Sequence, residues 1–227
     1  MKTLFHSVTK EDKKTAIEKL VSDSTPSSDF FAMMICSVLI ATLGLLTDSV
    51  AIVIGSMLIA PLLYPVLSIG MGIVMADHAL IVRSVKTLLK ASVFAIVAGA
   101  LLTLLFSNFY LGVTGELQAR TLASLPSIAI AIIAGFAASL AFVKPKLNEM
   151  LPGVAIAIAL VPPLATIGVG LARLNFSLVT GALLLFVVNV VGIVLASMVV
   201  FSLMNFYPEK KETDKIIKEA DAENLKE

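Results

Sequence analysis

The sequence predicts an all-α membrane protein of six transmembrane helices, built as two inverted three-helix repeats with helices 2 and 5 broken at proline and glycine. Three observations lead there: the composition, the spacing of long uncharged runs, and a segment that recurs 98 residues further on. The chain has 227 residues, 58% of them hydrophobic and 15% charged, with a mean hydropathy of +0.99. A water-soluble domain of this size has no use for so much apolar surface. Each helical crossing takes about 20 mainly apolar residues. Uncharged runs near residues 30–46, 49–75, 88–107, 126–143, 150–172 and 176–204 supply six. Continuous runs of this length favour helices over a barrel, whose strands would alternate in segments of about ten residues.

Basic residues are retained on the cytoplasmic side of a membrane, so their placement sets the orientation. Lys2, Lys10, Lys13, Lys14 and Lys19 precede the first run; Arg83, Lys86 and Lys90 lie between the second and third; Lys144 and Lys146 between the fourth and fifth; Lys210, Lys211, Lys215, Lys218 and Lys226 follow the sixth. That places 15 of the 17 on one side and leaves only Arg120 and Arg173 on the other, which predicts cytoplasmic termini. The domain plan is a tail over 1–28, a first repeat over 29–125 with an interfacial helix at 76–90, a second repeat over 126–205, and a tail over 206–227. The tails read as solvated amphipathic helices, with Thr9 and Asp12 as caps and Ile216, Ile217 and Leu225 as a thin apolar stripe. The first apolar run continues into further spans, unlike a cleavable signal peptide.

Shifting the chain by 98 residues lays residues 58–72, LIAPLLYPVLSIGMG, on residues 156–170, IAIALVPPLATIGVG, without a gap. Leu62, Pro65, Ile69, Gly70 and Gly72 then meet Leu160, Pro163, Ile167, Gly168 and Gly170. A duplicated unit of three crossings explains this, and an odd unit re-enters from the opposite face, so its copies are related by a pseudo-two-fold axis in the membrane plane.

Crossings two and five carry prolines at membrane depth: Pro61 and Pro65 in one, Pro162 and Pro163 in the other. Proline lacks an N–H and displaces the carbonyl four residues back, which predicts free oxygens on Met57, Pro61, Ile158 and Ala159. Such groups are tolerated at this depth only against protein or a water-filled cavity. Gly55, Gly70, Gly72, Gly168 and Gly170 permit close backbone approach. Ser56, Tyr64, Ser68 and Thr166 add hydroxyls, and Asn189 is the deepest strongly polar side chain. The candidate pathway is therefore Gly55, Ser56, Met57, Pro61, Tyr64, Pro65, Ser68, Ile158, Ala159, Pro162, Pro163, Thr166 and Asn189. Half-helix N-termini suit small anions and freed carbonyls suit small cations or water, so the sequence leaves both open.

Other readings fall away on chemistry. No Lys, Arg, His, Asp or Glu lies in a span away from its ends, so an embedded carboxylate relay has no candidate. Asp48 and Asp29 read as helix caps. A net charge of +1 spread over both ends offers no basic face for nucleic acid. One cysteine, Cys36, allows neither an intrachain disulfide nor a cysteine-based metal site. No HExxH, nucleophile elbow or Walker loop is present, so no enzyme activity, cofactor or metal is expected. Ser127, Ala131, Gly135 and Ser139, with Ala91, Ala95 and Gly99, form smooth ridges for close helix packing, within one chain or in a homo-oligomer.

The segments IGSMLIAPLLYP (54–65) and LPGVAIAIALVPPLATIGVG (151–170) resemble the two signature regions of the prokaryotic membrane family called domain of unknown function 389. The resemblance runs over about residues 30–205. It implies a bacterial or archaeal inner-membrane protein, and it marks Gly55, Met57, Ala60, Pro61, Leu62, Val161, Pro162, Pro163 and Leu164 as motif positions without assigned roles. The matched broken helices point to a transporter or channel whose partners are the lipid bilayer and a small solute or ion. The alternative is a membrane scaffold or sensor signalling through its cytoplasmic tails.

Overall fold

The computed structural model describes residues 9–106, 112–144, 147 and 160–206, and these are helical with no strand among them. In chain order the helices are α1 (Lys10–Asp23), α2 (Ser28–Leu46), α3 (Val50–Met57), α4 (Leu63–Val74), α5 (His78–Leu105), α6 (Gly115–Ala119), α7 (Leu125–Val143), α8 (Val161–Ala172) and α9 (Phe176–Leu203). Four of them, α2, α5, α7 and α9, are long and apolar enough to cross a membrane. Their outward faces carry Leu101, Leu105, Ile133, Leu184 and Val199, while hydroxyls such as Ser37, Thr42, Ser92, Thr103 and Ser139 are buried inside. Apolar outside and small polar inside is the distribution that a lipid solvent selects. The structure thus has the multi-pass membrane character that the composition calls for.

Contacts between helices define two ends. At the first lie α1, the start of α2, the turn joining α4 to α5, and the end of α9: Arg83 donates to the Thr25 hydroxyl at 2.6 Å, and Lys13 Nζ donates to the Asn205 carbonyl at 2.6 Å. At the second lie the end of α2, α6, and the turn joining α8 to α9. There Asp48 accepts the Glu116 N–H at 2.8 Å, the Thr114 hydroxyl donates to the Leu45 carbonyl at 2.6 Å, and Arg173 donates to the Gly112 carbonyl at 2.7 Å.

The 98-residue register extends to the elements themselves. Helices α4 and α8 have 12 residues each and α5 and α9 have 28 each, every boundary shifted by 98. Ala76 and Leu174, also 98 apart, both hold positive φ, at 51° and 53°. Each sits in a left-handed helix end, where the next N–H returns to a glycine carbonyl, Asp77 to Gly72 and Asn175 to Gly170, both at 2.8 Å. Asp77 and Asn175 then cap the following helices by accepting the N–H of Leu80 and Leu178.

The packing repeats reciprocally. A Cβ on Gly70 of α4 would collide with Ser197 of α9, and one on Gly168 of α8 would lie 2.7 Å from the Ile96 carbonyl and 3.1 Å from Gly99 in α5. Gly99 is the counterpart of Ser197, so each half-helix crosses the long helix of the other half at the same position. Gly72 on Ile81 and Gly170 on Val179 repeat the match within each hairpin, with approaches of 2.8 Å.

Several local readings are corrected. Residues 78–90 are not a separate interfacial helix but continue without interruption into α5. Helix α1 is not a solvated tail: its capping box, with the Asp12 N–H on the Thr9 hydroxyl at 3.1 Å, starts a helix whose Ala16, Ile17, Leu20 and Val21 are buried in the common core. It packs on α4 and α7, with Lys19 lying 5.9 Å from the centre of the Phe142 ring. Asp48 does not cap α3. It takes a left-handed conformation, φ 54°, that ends α2 and turns its carboxylate to the first turn of α6. Ser27, not Asp29, caps α2, accepting the Phe30 N–H at 3.1 Å. The small-residue ridges are occupied within the chain: Gly135 would meet Ile193 Cα at 2.7 Å, and Gly99 would meet the Thr42 hydroxyl at 3.2 Å. Residues 216, 217 and 225 lie outside the described residues.

Candidate functional site

The second apolar run is interrupted where the sequence places its break. Helix α3 ends at Met57, residues 58–62 are non-helical, and α4 starts at Leu63. At 1.5 Å per residue the two pieces are about 12 and 18 Å long, neither enough alone for a core of about 30 Å. The Ser37 hydroxyl fixes the depth of the interruption, because it donates to the Ser56 carbonyl at 2.7 Å and Ser37 is the tenth of nineteen residues in α2.

The other half matches this depth. Counting back from the α8–α9 turn sets Leu160 level with Asn189, the fourteenth of the 28 residues of α9. Both residues are buried. Ile158 and Ala159, where a paired break is expected, lie outside the described residues, as do 148–157.

The prolines act differently from the sequence expectation. Pro61 sits inside the interruption, while Pro65, Pro162 and Pro163 occupy the second or third residue of α4 or α8. First-turn N–H groups have no partner within any α-helix, so proline there removes no ladder bond and displaces no carbonyl. The Pro61 oxygen is therefore not freed by Pro65. Near Met57, the oxygens of Gly55 and Ser56 receive the Leu58 and Ile59 N–H groups, each at 3.3 Å, in the tightened last turn of α3.

What the two half-helices expose instead is the start of each ladder. Six of the helices that begin at the molecule's ends carry side-chain caps: Thr9, Ser27, Asp77, Thr114, Ser124 and Asn175 each accept a backbone N–H. Helix α3, which begins there after Ser49, has none. Helices α4 and α8 begin on Leu62 and Leu160, which provide no such bond. Proline carries no N–H, so among the first three residues only Val161 of α8 and Leu63 and Tyr64 of α4 offer one, and at this depth those groups need protein, water or a ligand.

The remaining candidates fall into three groups. Gly55 is half-buried, and a Cβ there would meet nothing within 4 Å, so the end of α3 borders open space. Ser56 and Thr166 are buried and return their hydroxyl protons to their own helices, at 2.6 Å to Val53 and 2.9 Å to Pro162. Met57, Pro65, Pro162 and Pro163 are buried, Pro61 and Tyr64 half-buried. The Tyr64 ring faces Phe142 with centroids 6.1 Å apart, and so points from the break toward the end that α1 covers.

Ser68 is the exception. Fully buried, its hydroxyl has no partner among the described residues, and the same holds for Ser84. Gly72 packs on Ile81, so one turn further from the hairpin Ser68 of α4 comes level with Ser84 of α5. Ser84, Phe142 and the apolar face of α1 escaped the sequence reading. The pattern Ala16, Ile17, Leu20, Val21 was the signal for α1; nothing local marked the other two.

A model of the family described as domain of unknown function (DUF389) matches residues 57–195, which take in the interruption, α4, α5, α8 and most of α9. The chain is also 34% identical over 217 residues to the uncharacterised protein MJ0678 of Methanocaldococcus jannaschii, covering 88% of this chain and 65% of that one. The chain thus spans just under two thirds of the relative's length. No solved structure matches it.

Proposed function

The chain belongs to the DUF389 family, and we propose that it is a transporter or channel for a small solute or ion in a prokaryotic inner membrane, with its site at the paired half-helix starts. The reading takes six crossings, both termini on the cytoplasmic side, and two inverted copies of a three-helix unit. One observation carries it: α4 and α8 start 98 residues apart, at matching depth and without side-chain caps, and run to opposite ends of the molecule. Direction is what matters here. The turn after α4 lies at the end where Arg83 meets Thr25, and the turn after α8 at the end where Arg173 meets Gly112. Copies related in this way give one scaffold two equivalent faces, the geometry alternating access requires.

Within that scheme the half-helix starts and Ser68 orient the passing species, Asn189 stands level with the second start, and Gly55 leaves room beside the first. No fixed charge in the spans binds the substrate, so recognition rests on main-chain dipoles and hydroxyls. The scaffold alternative gains nothing from the N-terminal segment, because the apolar face of α1 is already used inside the chain.

The test is flux. Purified protein in liposomes, screened with ions and small neutral solutes, should pass at least one species above protein-free vesicles. Gly55→Leu, which projects into open space and leaves the fold intact, should then abolish most of that flux. A broad screen with no flux, or flux indifferent to Gly55→Leu, counts against the site.

A further inference from the structure

Among the described residues the two halves differ on the lipid-facing side of α5 and its counterpart α9. Between α2 and α5 runs an apolar groove of about 460 Å³, lined among others by Ile35, Leu39, Phe94, Ala98, Leu101 and Leu105. The same position in the other half is closed, because Phe94 is replaced there by Gly192, whose Cβ would sit 2.9 Å from that of Ala131 in α7. Phe94 instead stacks against Phe31 of α2, ring centroids 5.0 Å apart, and holds the two helices open above it.

Two lysines lie on α5 beyond the Phe94 end of the groove. Lys86 and Lys90 precede Phe94 at intervals of four on the same face of α5, and both are exposed. No described acidic side chain forms an ion pair with either. Their counterparts 98 residues on are Leu184 and Val188, so the half that closes the groove also lacks the lysines. From Phe94 to Leu105 the groove runs about 16 Å along α5, away from the lysines and past the level of Ser37, and from Lys90 to Leu105 is about 22 Å, the reach of one extended acyl chain.

We propose that this groove is a binding site for one phospholipid with an anionic headgroup, its phosphate held by Lys86 and Lys90 and one acyl chain lying between α2 and α5. An acyl chain matches the apolar lining and the length. The lysines, whose stems lie along the helix while their ammonium groups reach the interface, supply the selectivity that a bare groove lacks. The proposal does not depend on the transport reading.

The chain has no tryptophan, so Phe94→Trp places a single fluorophore in the groove. The full-length variant is reconstituted in vesicles that mix ordinary phosphatidylcholine with a lipid brominated on its acyl chains, either phosphatidylglycerol or phosphatidylcholine. Brominated phosphatidylglycerol should quench at a markedly lower mole fraction than brominated phosphatidylcholine. Adding Lys86→Ala or Lys90→Ala should each shrink that preference by about fivefold, the contribution of one basic residue at an anionic surface. A fluorophore at Val187, on the exposed face of α9, should show no preference. Equal quenching by the two lipids, a preference that survives removal of both lysines, or a fluorophore shielded from both lipids by a second copy of the chain would each overturn the proposal. A flux screen that fails would leave all of these readouts unchanged, so the two proposals fall separately.

Discussion

The hairpins α4–α5 and α8–α9 agree in every boundary, yet the helices beside them pack differently. In the second half Gly135 and Gly192 let α7 lie directly on α9, with approaches of 2.7 and 2.9 Å from the added Cβ positions. In the first half the counterparts are Ser37 and Phe94. Ser37 is turned toward α3 to bond the Ser56 carbonyl, and Phe94 props α5 away from α2. The lesson is that reciprocal contacts between the halves hold the symmetric part in register, since each half-helix must fit the other half's long helix. The flanking helices are held differently: α7 packs chiefly on α9 of its own half, whereas α2 packs on α3 and α5 and also on α8 of the other half. Lipid tails are as apolar as leucine, so no hydrophobic force closes the first groove; only close packing would.

The sharpest way to break this contrast is to exchange the two residues that create it. Gly192→Phe should force α7 from α9 and lower stability by about 3 kcal/mol, at the upper range for overpacking. Phe94→Ala, whose side chain is half exposed to lipid, should cost less than about 1 kcal/mol. Thermal unfolding of both variants in detergent measures the difference. Equal losses would mean that the α2–α5 groove is not the looser packing.

A smaller difference lies within the shared contacts. Gly168→Ala meets backbone atoms, the Ile96 carbonyl at 2.7 Å and the Ala100 N at 2.8 Å, so whole helices must shift, at about 1–3 kcal/mol. Gly70→Ala meets the Ser197 side chain first, which can be removed. Adding Ser197→Gly, the residue that the other half already has at Gly99, should restore much of the loss at Gly70. No substitution of a side chain should rescue Gly168→Ala. Melting temperatures of the two single variants and the paired one decide this, and rescue in neither place would mean the crossings are not related as described.

How much of this was readable in the sequence follows from where the information sits. The interruption around Pro61 and the uncapped starts near Pro65 and Pro163 were marked by residue type, since proline and glycine act on the backbone wherever they occur. What the prolines do there was not marked: whether Pro65 displaces a carbonyl depends on its distance from the helix start, which Leu62 and Leu63 do not announce. Asp48 looked like a cap because it precedes a helix by two residues, and only the fold brings α6 to its carboxylate. The groove depends on Phe94 standing where its counterpart is glycine, which is legible once the 98-residue register is known but not from an apolar run alone. The burial of α1 was written in the spacing of Ile17, Leu20 and Val21, and was masked by five lysines in the first 19 residues that suited a solvated tail equally well.

The position of α1 extends the comparison to the two ends, since it covers the break on the Tyr64 side alone among the described residues. Asp23, at its C-terminus, is half-buried, and burial raises its carboxyl pKa above the usual 3.8, partly offset by the charge of Lys19. A carboxyl that holds its proton more tightly when folded favours the docked state at low pH. That advantage declines as pH rises from near 3.8 through the folded value, and is gone above it. Asp12 runs the opposite way: its bonds to Thr9 lower its pKa, so its contribution is present above 3.8 and lost only as pH falls below that value. The two therefore separate on the pH axis. Asp23→Asn should flatten the stability of α1 docking above pH 4 and raise it slightly at pH 7, read by amide exchange of residues 10–23 against pH. An unchanged slope in the variant would show that Asp23 is not what couples α1 to pH, and that its docking rests on the packing of Ile17 and Leu20 with the contacts of Lys13 and Lys19.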